Sequence, residues 1–246
     1  MAHGAPDWNI YRPYAVSYSV ADLAEHAART RSPVMFDRRG DVYFLWDWSQ
    51  GWGPWEHASC CVGGNEFIVP APHLHGGYSV ELTAGSADPC TAYIELITPM
   101  MRSPSFGVSL QFSVFDVTDH ILIRLTADSG TRLYDPQVRH VFATQRLEIY
   151  HQPAVGPPAW YTIPHLISVQ SNPRIWNYLK FVVDLKNERY DRILFNDFEY
   201  DLKAYNLVDI GAGGWNVNTV NIRNNGRCEL GNIIYIDNVI LTHDEL

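Results

Sequence analysis

The 246-residue sequence holds no apolar run approaching the ~18 residues that a membrane-spanning helix requires. It is also poor in positive charge: 18 Lys and Arg stand against 27 Asp and Glu, a formal net charge of −9. Nucleic acid and anionic membrane surfaces call for a basic footprint, so neither is an expected partner. Cysteine is scarce. The four residues, Cys60, Cys61, Cys90 and Cys228, form no CxxC pair, which argues against a zinc knuckle or a thioredoxin-type site. No glycine-rich phosphate loop precedes a helix, which argues against nucleotide binding. No Asn-x-Ser/Thr sequon occurs, and Met1 to Tyr14 lacks the apolar h-region of a secretory signal.

Apolar residues make up 46% of the chain and charged residues 18%. That is enough for a sizeable core and too little charge for a disordered polymer. Adjacent Cys60 and Cys61 cannot pair with each other in relaxed geometry. One of them is free to reach Cys90 or Cys228, but reduced, half-buried thiols are the expectation. The chain ends His243-Asp244-Glu245-Leu246, which spells an endoplasmic-reticulum retention signal. With no entry signal in view, the tetrapeptide reads as the polar tail of a last strand. An extracellular or virion-associated setting is the expectation.

Ser19 and Asp22 form a capping-box-like start for a helix over Val20–Arg31. Leu23, Ala24, Ala27 and Ala28 recur at helical spacing, and Pro33 follows. Residues 1–33 are therefore expected to be an arm with one short helix. From Val34 onward the pattern has period two. Expected strands are Val42–Trp48, Glu66–Val69, Tyr78–Thr83, Ala92–Ile97, Val108–Val114, Ile121–Thr126, Arg146–His151, Tyr161–Ser168, Leu179–Asp184, Arg192–Phe195, Glu199–Leu202, Val217–Arg223 and Ile233–Thr242. They are divided by Gly63-Gly64, Asp128-Ser129-Gly130, Gly156-Pro157-Pro158 and Asn224-Asn225-Gly226. Gly211–Gly214 reads as a flexible loop. Many short strands at even spacing predict one all-β sandwich over 34–246. Leu179–Asp184, Arg192–Phe195 and Glu199–Leu202 form a three-stranded meander, closed by Asn196-Asp197 in a turn that needs positive φ.

Two stretches carry a resemblance. Trp176-Asn177-x-Leu179-Lys180-Phe181-Val182-Val183-Asp184-Leu185, with Tyr190-x-Arg192 and Asn196-Asp197-x-Glu199, resembles the central meander of concanavalin A-like lectin/glucanase jelly rolls. His75-Gly76-Gly77-Tyr78-Ser79-Val80-Glu81-Leu82, paired with Ile234-Tyr235-Ile236-Asp237-Asn238-Val239-Ile240-Leu241, is similar to the early and final strands of calcium-stapled carbohydrate-binding modules. The resemblance implies a two-sheet antiparallel jelly-roll sandwich. It also implies a structural Ca2+ held by Asp47 and Asp237. Read from its residues alone, Asp237 lies on a strand apolar on both faces and needs a partner for its charge. Calcium, an arginine or several backbone N–H groups would each serve, and a strand end in water would remove the need.

Aromatic residues supply the functional signal. Trp46, Trp48, Trp52 and Trp55 fall within ten residues, broken by Gly51, Gly53 and Pro54. Trp46 and Trp48 share a strand face and suit the core. Trp52 and Trp55 read as loop indoles, and Trp160, Tyr161 and Trp215 as further loop aromatics. Indoles stack on sugar rings and anchor interfaces. These five are the candidate carbohydrate-binding residues. Catalysis has weaker support. The Glu-x-Asp-x-x-Glu run carried by jelly-roll glucanases is absent. Asp197, Glu199 and Asp201 alternate on one face, but beside a tight hairpin, where acidic residues are ordinary. His73 and His75 alternate without a third ligand. The expected function is non-catalytic glycan recognition. A structural subunit of a surface layer, fibre or virion, making homo-oligomer contacts, is the alternative. A glycan-cleaving enzyme is the second alternative.

Overall fold

The computed structural model describes residues 39–59, 63–74, 77–85, 90–100, 103–116, 119–226 and 232–245. The expected helix over Val20–Arg31 lies outside them. Every regular element among the described residues is a strand. They are β1 (Asp41–Trp46), β2 (Trp55–Ser59), β3 (Asn65–Val69), β4 (Ser79–Thr83), β5 (Thr91–Pro99), β6 (Ser105–Val114), β7 (His120–Asp128), β8 (Arg132–Tyr134) and β9 (Gln137–Val141). There follow β10 (Arg146–His151), β11 (Ala159–Leu166), β12 (Asn172–Asp184), β13 (Arg189–Phe195), β14 (Phe198–Asp201), β15 (Asp209–Ala212), β16 (Val217–Asn225) and β17 (Ile233–His243).

They build two antiparallel sheets. The eight-stranded sheet runs β14-β13-β12-β6-β17-β4-β3, with β1 added to β17. The nine-stranded sheet runs β11-β10-β9-β7-β16-β5-β2, with β8 bridging β7 and β15. Sequence neighbours rarely pair across the middle: β6 lies between β12 and β17, and β7 between β9 and β16. These long crossovers are the mark of a jelly roll. The expected meander forms as β12-β13-β14, and Asn196 turns it with φ 50°.

Alternation explains the layering. Ile94, Ile123, Ile149 and Ile222 of the nine-stranded sheet meet Leu110, Phe112, Phe181 and Ile193 of the other, all at 0% exposure. Burying each such side chain contributes roughly 1.5–3 kcal/mol. Tyr190 crosses between the layers. Its hydroxyl accepts the Gln137 N–H at 2.9 Å and shares its one proton between the carbonyls of Tyr150 (2.8 Å) and Gln137 (3.1 Å).

Some expectations need correction. Four strands escape the sequence pattern: β2, β8, β9 and β15. Gly211–Gly214 is not wholly loop, since Gly211 and Ala212 pair with Leu133 and Arg132. Cys90 is not a reduced thiol: it is disulfide-bonded, and it is buried at 4% exposure.

His140 lies on the inner side of β9 at 0% exposure, with Nε2 at 2.9 Å from the Ile167 carbonyl. Phe142 and Phe195 pack against its ring. Burial pushes its pKa down from 6.5 to about 4, and the bond to Ile167 only partly opposes this. The unfolded chain therefore binds the proton first as pH falls. Stability is expected to be full above pH 6.5 and to be lost progressively down to about pH 4. The slope from this one group is at most about 1.4 kcal/mol per pH unit. Urea midpoints at pH 7, 6, 5 and 4 measure it. His140→Phe is expected to flatten that part of the profile, and an unchanged slope in the variant would assign it to other groups.

Candidate functional site

The two sheets differ on their outward faces. In the eight-stranded sheet the outward residues of β6, among them Ser109, Gln111 and Ser113, are themselves buried. In the nine-stranded sheet β5, β7, β9 and β10 alternate between buried and partly exposed residues, so most of one face meets solvent, with outward Asn221 of β16 buried at 2% exposure. Residues directly opposite across antiparallel strands share a face. The register therefore generates rows that cross all seven strands of the main path. One row is Glu56, Glu95, Asn221, Arg124, Gln137, Tyr150 and Trp160. The next is Ala58, Tyr93, Arg223, Leu122, Arg139, Glu148 and Thr162. Both rows combine planar hydrogen-bonding groups with aromatic rings.

These side chains hold one another in place. Arg124 makes two bonds to Asp135, 2.6 Å from Nε and 3.0 Å from the terminal nitrogen, and Gln137 donates to the same carboxylate at 2.8 Å. Arg139 pairs with Glu148 at 2.6 Å and places its guanidinium 4.0 Å from the centre of the Trp160 ring. Thr162 donates to the other Glu148 oxygen. Asn221 donates to Glu95 at 2.9 Å and accepts Nε of Arg223 at 2.5 Å. Arg223 in turn lies over Tyr93, 5.5 Å from the ring centre. In the adjoining row His120 bonds Asp119 at 2.7 Å. Burial lowers its pKa, with Asp119 opposing. The result is a pre-set surface of donors and acceptors, so little conformational entropy remains to be lost when a polar ligand docks.

The five candidate aromatics disperse. Trp55 is inside, 4% exposed and 5.3 Å from the buried Trp48 ring, because it opens β2 and pairs with inward-facing Leu96. It is not a surface platform. Trp52 packs partly against the core and stacks on His57 at 4.0 Å. Trp160 and Tyr161 are strand residues of β11 rather than loop residues, so they face opposite ways. Trp160 joins the outward row, while Tyr161 turns to Tyr205 at 4.4 Å and packs against the core. Trp215 is 64% exposed, on a loop braced by Asp128. Burial disfavours the Asp128 charge, yet the N–H groups of Gly130, Asn216, Gly214 and Trp215 outweigh it and hold the carboxyl below its usual range. Beside this loop lies a cavity of about 790 Å3 lined by Asp128, Tyr134, Glu188 and Asn216 among others.

The two candidate calcium ligands are engaged by protein donors. Asp237, 0% exposed, accepts the N–H of Leu74 at 2.8 Å and of Asn238 at 2.7 Å. Asp47 folds back onto the N–H and hydroxyl of Ser49. Among the described residues, neither belongs to a group of three or more His, Cys, Asp or Glu side chains close enough to share an ion; the one such group is Asp41, His243 and Asp244. Each oxygen of the Asp237 carboxylate thus accepts one main-chain N–H. The acidic hairpin is also no cleft: Glu199 pairs with Arg39 at 2.9 Å, both exposed, and Asp201 caps Lys203. His73 bonds the Pro70 carbonyl, and His75 lies outside the described residues.

Two antiparallel sheets joined by long crossovers, with one half-exposed polar and aromatic face, define a concanavalin A-like jelly-roll sandwich. Solved structures bear out that fold. The cellulose-induced protein Cip1 superposes with a TM-score of 0.55 at 13% identity, over 81% of this chain and 96% of its own. The endo-β-1,4-glucuronan lyase of the fungus Trichoderma reesei gives 0.55 at 12% identity, over 82% and 96%. Peanut lectin gives 0.55 at 12% identity, over 81% and 95%. No family model matches the chain, and no curated protein matches it by sequence.

Proposed function

We propose that this protein binds a glycan on the outward face of its nine-stranded sheet. The observation that carries the reading is the row Glu95, Asn221, Arg124, Gln137, Tyr150 and Trp160, which sets hydrogen-bonding groups and rings across adjacent strands. A sugar offers the complement: hydroxyls around the ring edge and an apolar C–H face. A structural neighbour that is a lectin supports the same reading. Trp160 is the principal ring of this face, and exposed Trp215 supplies a second stacking surface at the end of the sandwich.

A glycan array with the wild type, Trp160→Ala and Trp215→Ala is the test. Trp160→Ala is expected to weaken the best binder at least about 10-fold, the equivalent of ~1.4 kcal/mol. Trp55→Ala is expected to lower stability instead, because its ring is buried. Binding unmoved by Trp160→Ala would remove the face from the proposal. An array with no binder would remove glycan recognition altogether.

A further inference from the structure

Four arginines and a histidine line the outward face, and all but two of the five already have a carboxylate. Arg124 is neutralised by Asp135, Arg139 by Glu148, and His120 sits against Asp119. Arg146 stands between Val141 and Leu166 in the register, with no polar group to orient it. Arg223 is different. Its Nε is fixed to Asn221 at 2.5 Å, Asn221 is itself fixed to Glu95, and its guanidinium lies over Tyr93. No carboxylate lies within ion-pair distance of it among the described residues, and both terminal nitrogens lack a protein partner there. It is half-exposed and flanked in register by Tyr93 and Leu122.

We infer that the face recognises an acidic glycan, and that Arg223 receives the carboxylate of a uronic acid residue. This rests on the reading of the face as a glycan site. The geometry supports it in three ways. An arginine with Nε committed presents its two terminal nitrogens as a fork, which matches the two oxygens of a planar carboxylate. The Asn221 and Tyr93 contacts hold that fork in one orientation before any ligand arrives, so the ordering cost is small. Among the described residues no carboxylate lies within ion-pair distance to compete for the fork, so its charge is left for a ligand. A phosphate or a sulfate ester can accept the same fork, and the dextran sulfate arm of the test separates that source from a carboxylate.

The test uses the full chain and a panel of oligomers of glucuronate, galacturonate, mannuronate and guluronate. Each is paired with its carboxyl-reduced, neutral counterpart, and dextran sulfate is added as a non-carboxylate polyanion. Binding is read by calorimetry. At least one uronate is expected to bind about 10- to 100-fold more tightly than its reduced form, the range of a charge-assisted two-pronged contact. Arg223→Gln is expected to abolish that ratio, so that the variant binds the uronate and its reduced form equally. Arg223→Lys, which keeps the charge but not the fork, is expected to restore only part of it. Melting temperatures of the variants check that they fold. Equal binding of uronate and reduced forms overturns the inference and leaves glycan binding standing. So does a ratio unchanged by Arg223→Gln. Dextran sulfate binding as tightly as the best uronate overturns the carboxylate assignment, and a panel without a binding uronate overturns it as well.

Discussion

Glu245→Ala is expected to lower stability by about 3–5 kcal/mol, the cost of taking a buried carboxylate away from two buried cations. Glu245 is 3% exposed, and its side chain meets Lys180 at 2.6 Å and Arg192 at 2.5 Å. It also takes the Thr242 hydroxyl, and its own N–H donates to Ser105 at 2.8 Å. Lys180 is 1% exposed and Arg192 6%. Deleting the carboxylate would remove the Glu245 contact from two cations that water barely reaches, leaving Arg192 with Asp191 at 2.6 Å and Lys180 with the Arg39 carbonyl at 3.1 Å. The effect should appear as a lower urea midpoint with an unchanged slope. Glu245→Gln keeps the shape without the charge and should fall between wild type and alanine. Replacing the buried group together, Lys180→Met, Arg192→Met and Glu245→Leu with Asp191→Asn so that this buried carboxylate does not lose Arg192, is expected to recover most of the loss. A midpoint unmoved in Glu245→Ala would mean that the cations find other partners.

This cluster also explains a glycine. Near its start β6 passes so close to the triad that a Cβ on Gly107 would sit 2.6 Å from Oε1 of Glu245 and 3.0 Å from the Lys180 side chain. Only the absence of a side chain lets the three strands β6, β12 and β17 share this site. The polar tail His243-Asp244-Glu245 is thus built into the sandwich: Glu245 is inside, and Asp244 bonds Ser103 at 2.9 Å.

The strands were legible wherever inward positions are apolar and outward ones polar. β10 and the β12-β13-β14 meander follow that rule, and Asn196-Asp197 supplied the turn. β9 broke it. Its inward residues are Val138 and His140 while Val141 points outward, so the five-residue alternation carries no hydrophobic period. β15 is exposed at every position and shows no pattern. β2 begins just after Gly53-Pro54, which made Trp55 read as loop and therefore as surface. The face itself had no local signature. Asn221, Arg124 and Gln137 are adjacent in space only because β16, β7 and β9 pair in one register across nearly a hundred residues of sequence. Spacing along the chain cannot display such a site; only topology assembles it.

Tyr190→Phe should show how far that assembled face depends on the layer beneath. Tyr190 belongs to β13 of the opposite sheet and is 0% exposed, and burial raises its pKa so that the phenol stays protonated. Its hydroxyl bonds the main chain of Gln137 and Tyr150, neighbours in the outward row on β9 and β10. Removing one oxygen leaves an N–H and two carbonyls short of a partner in a place closed to water. The expected loss is about 2–4 kcal/mol. The glycan affinity proposed for this face should fall too, although Tyr190 lies behind the sheet, because Gln137 and Tyr150 lose the strut that fixes them. Amide exchange at Gln137 should rise more than at Ile222 of central β16, which Tyr190 does not contact. A uniform rise would indicate global loosening alone. Unchanged exchange and unchanged affinity would show that the two paired strands hold their register without help from the facing sheet.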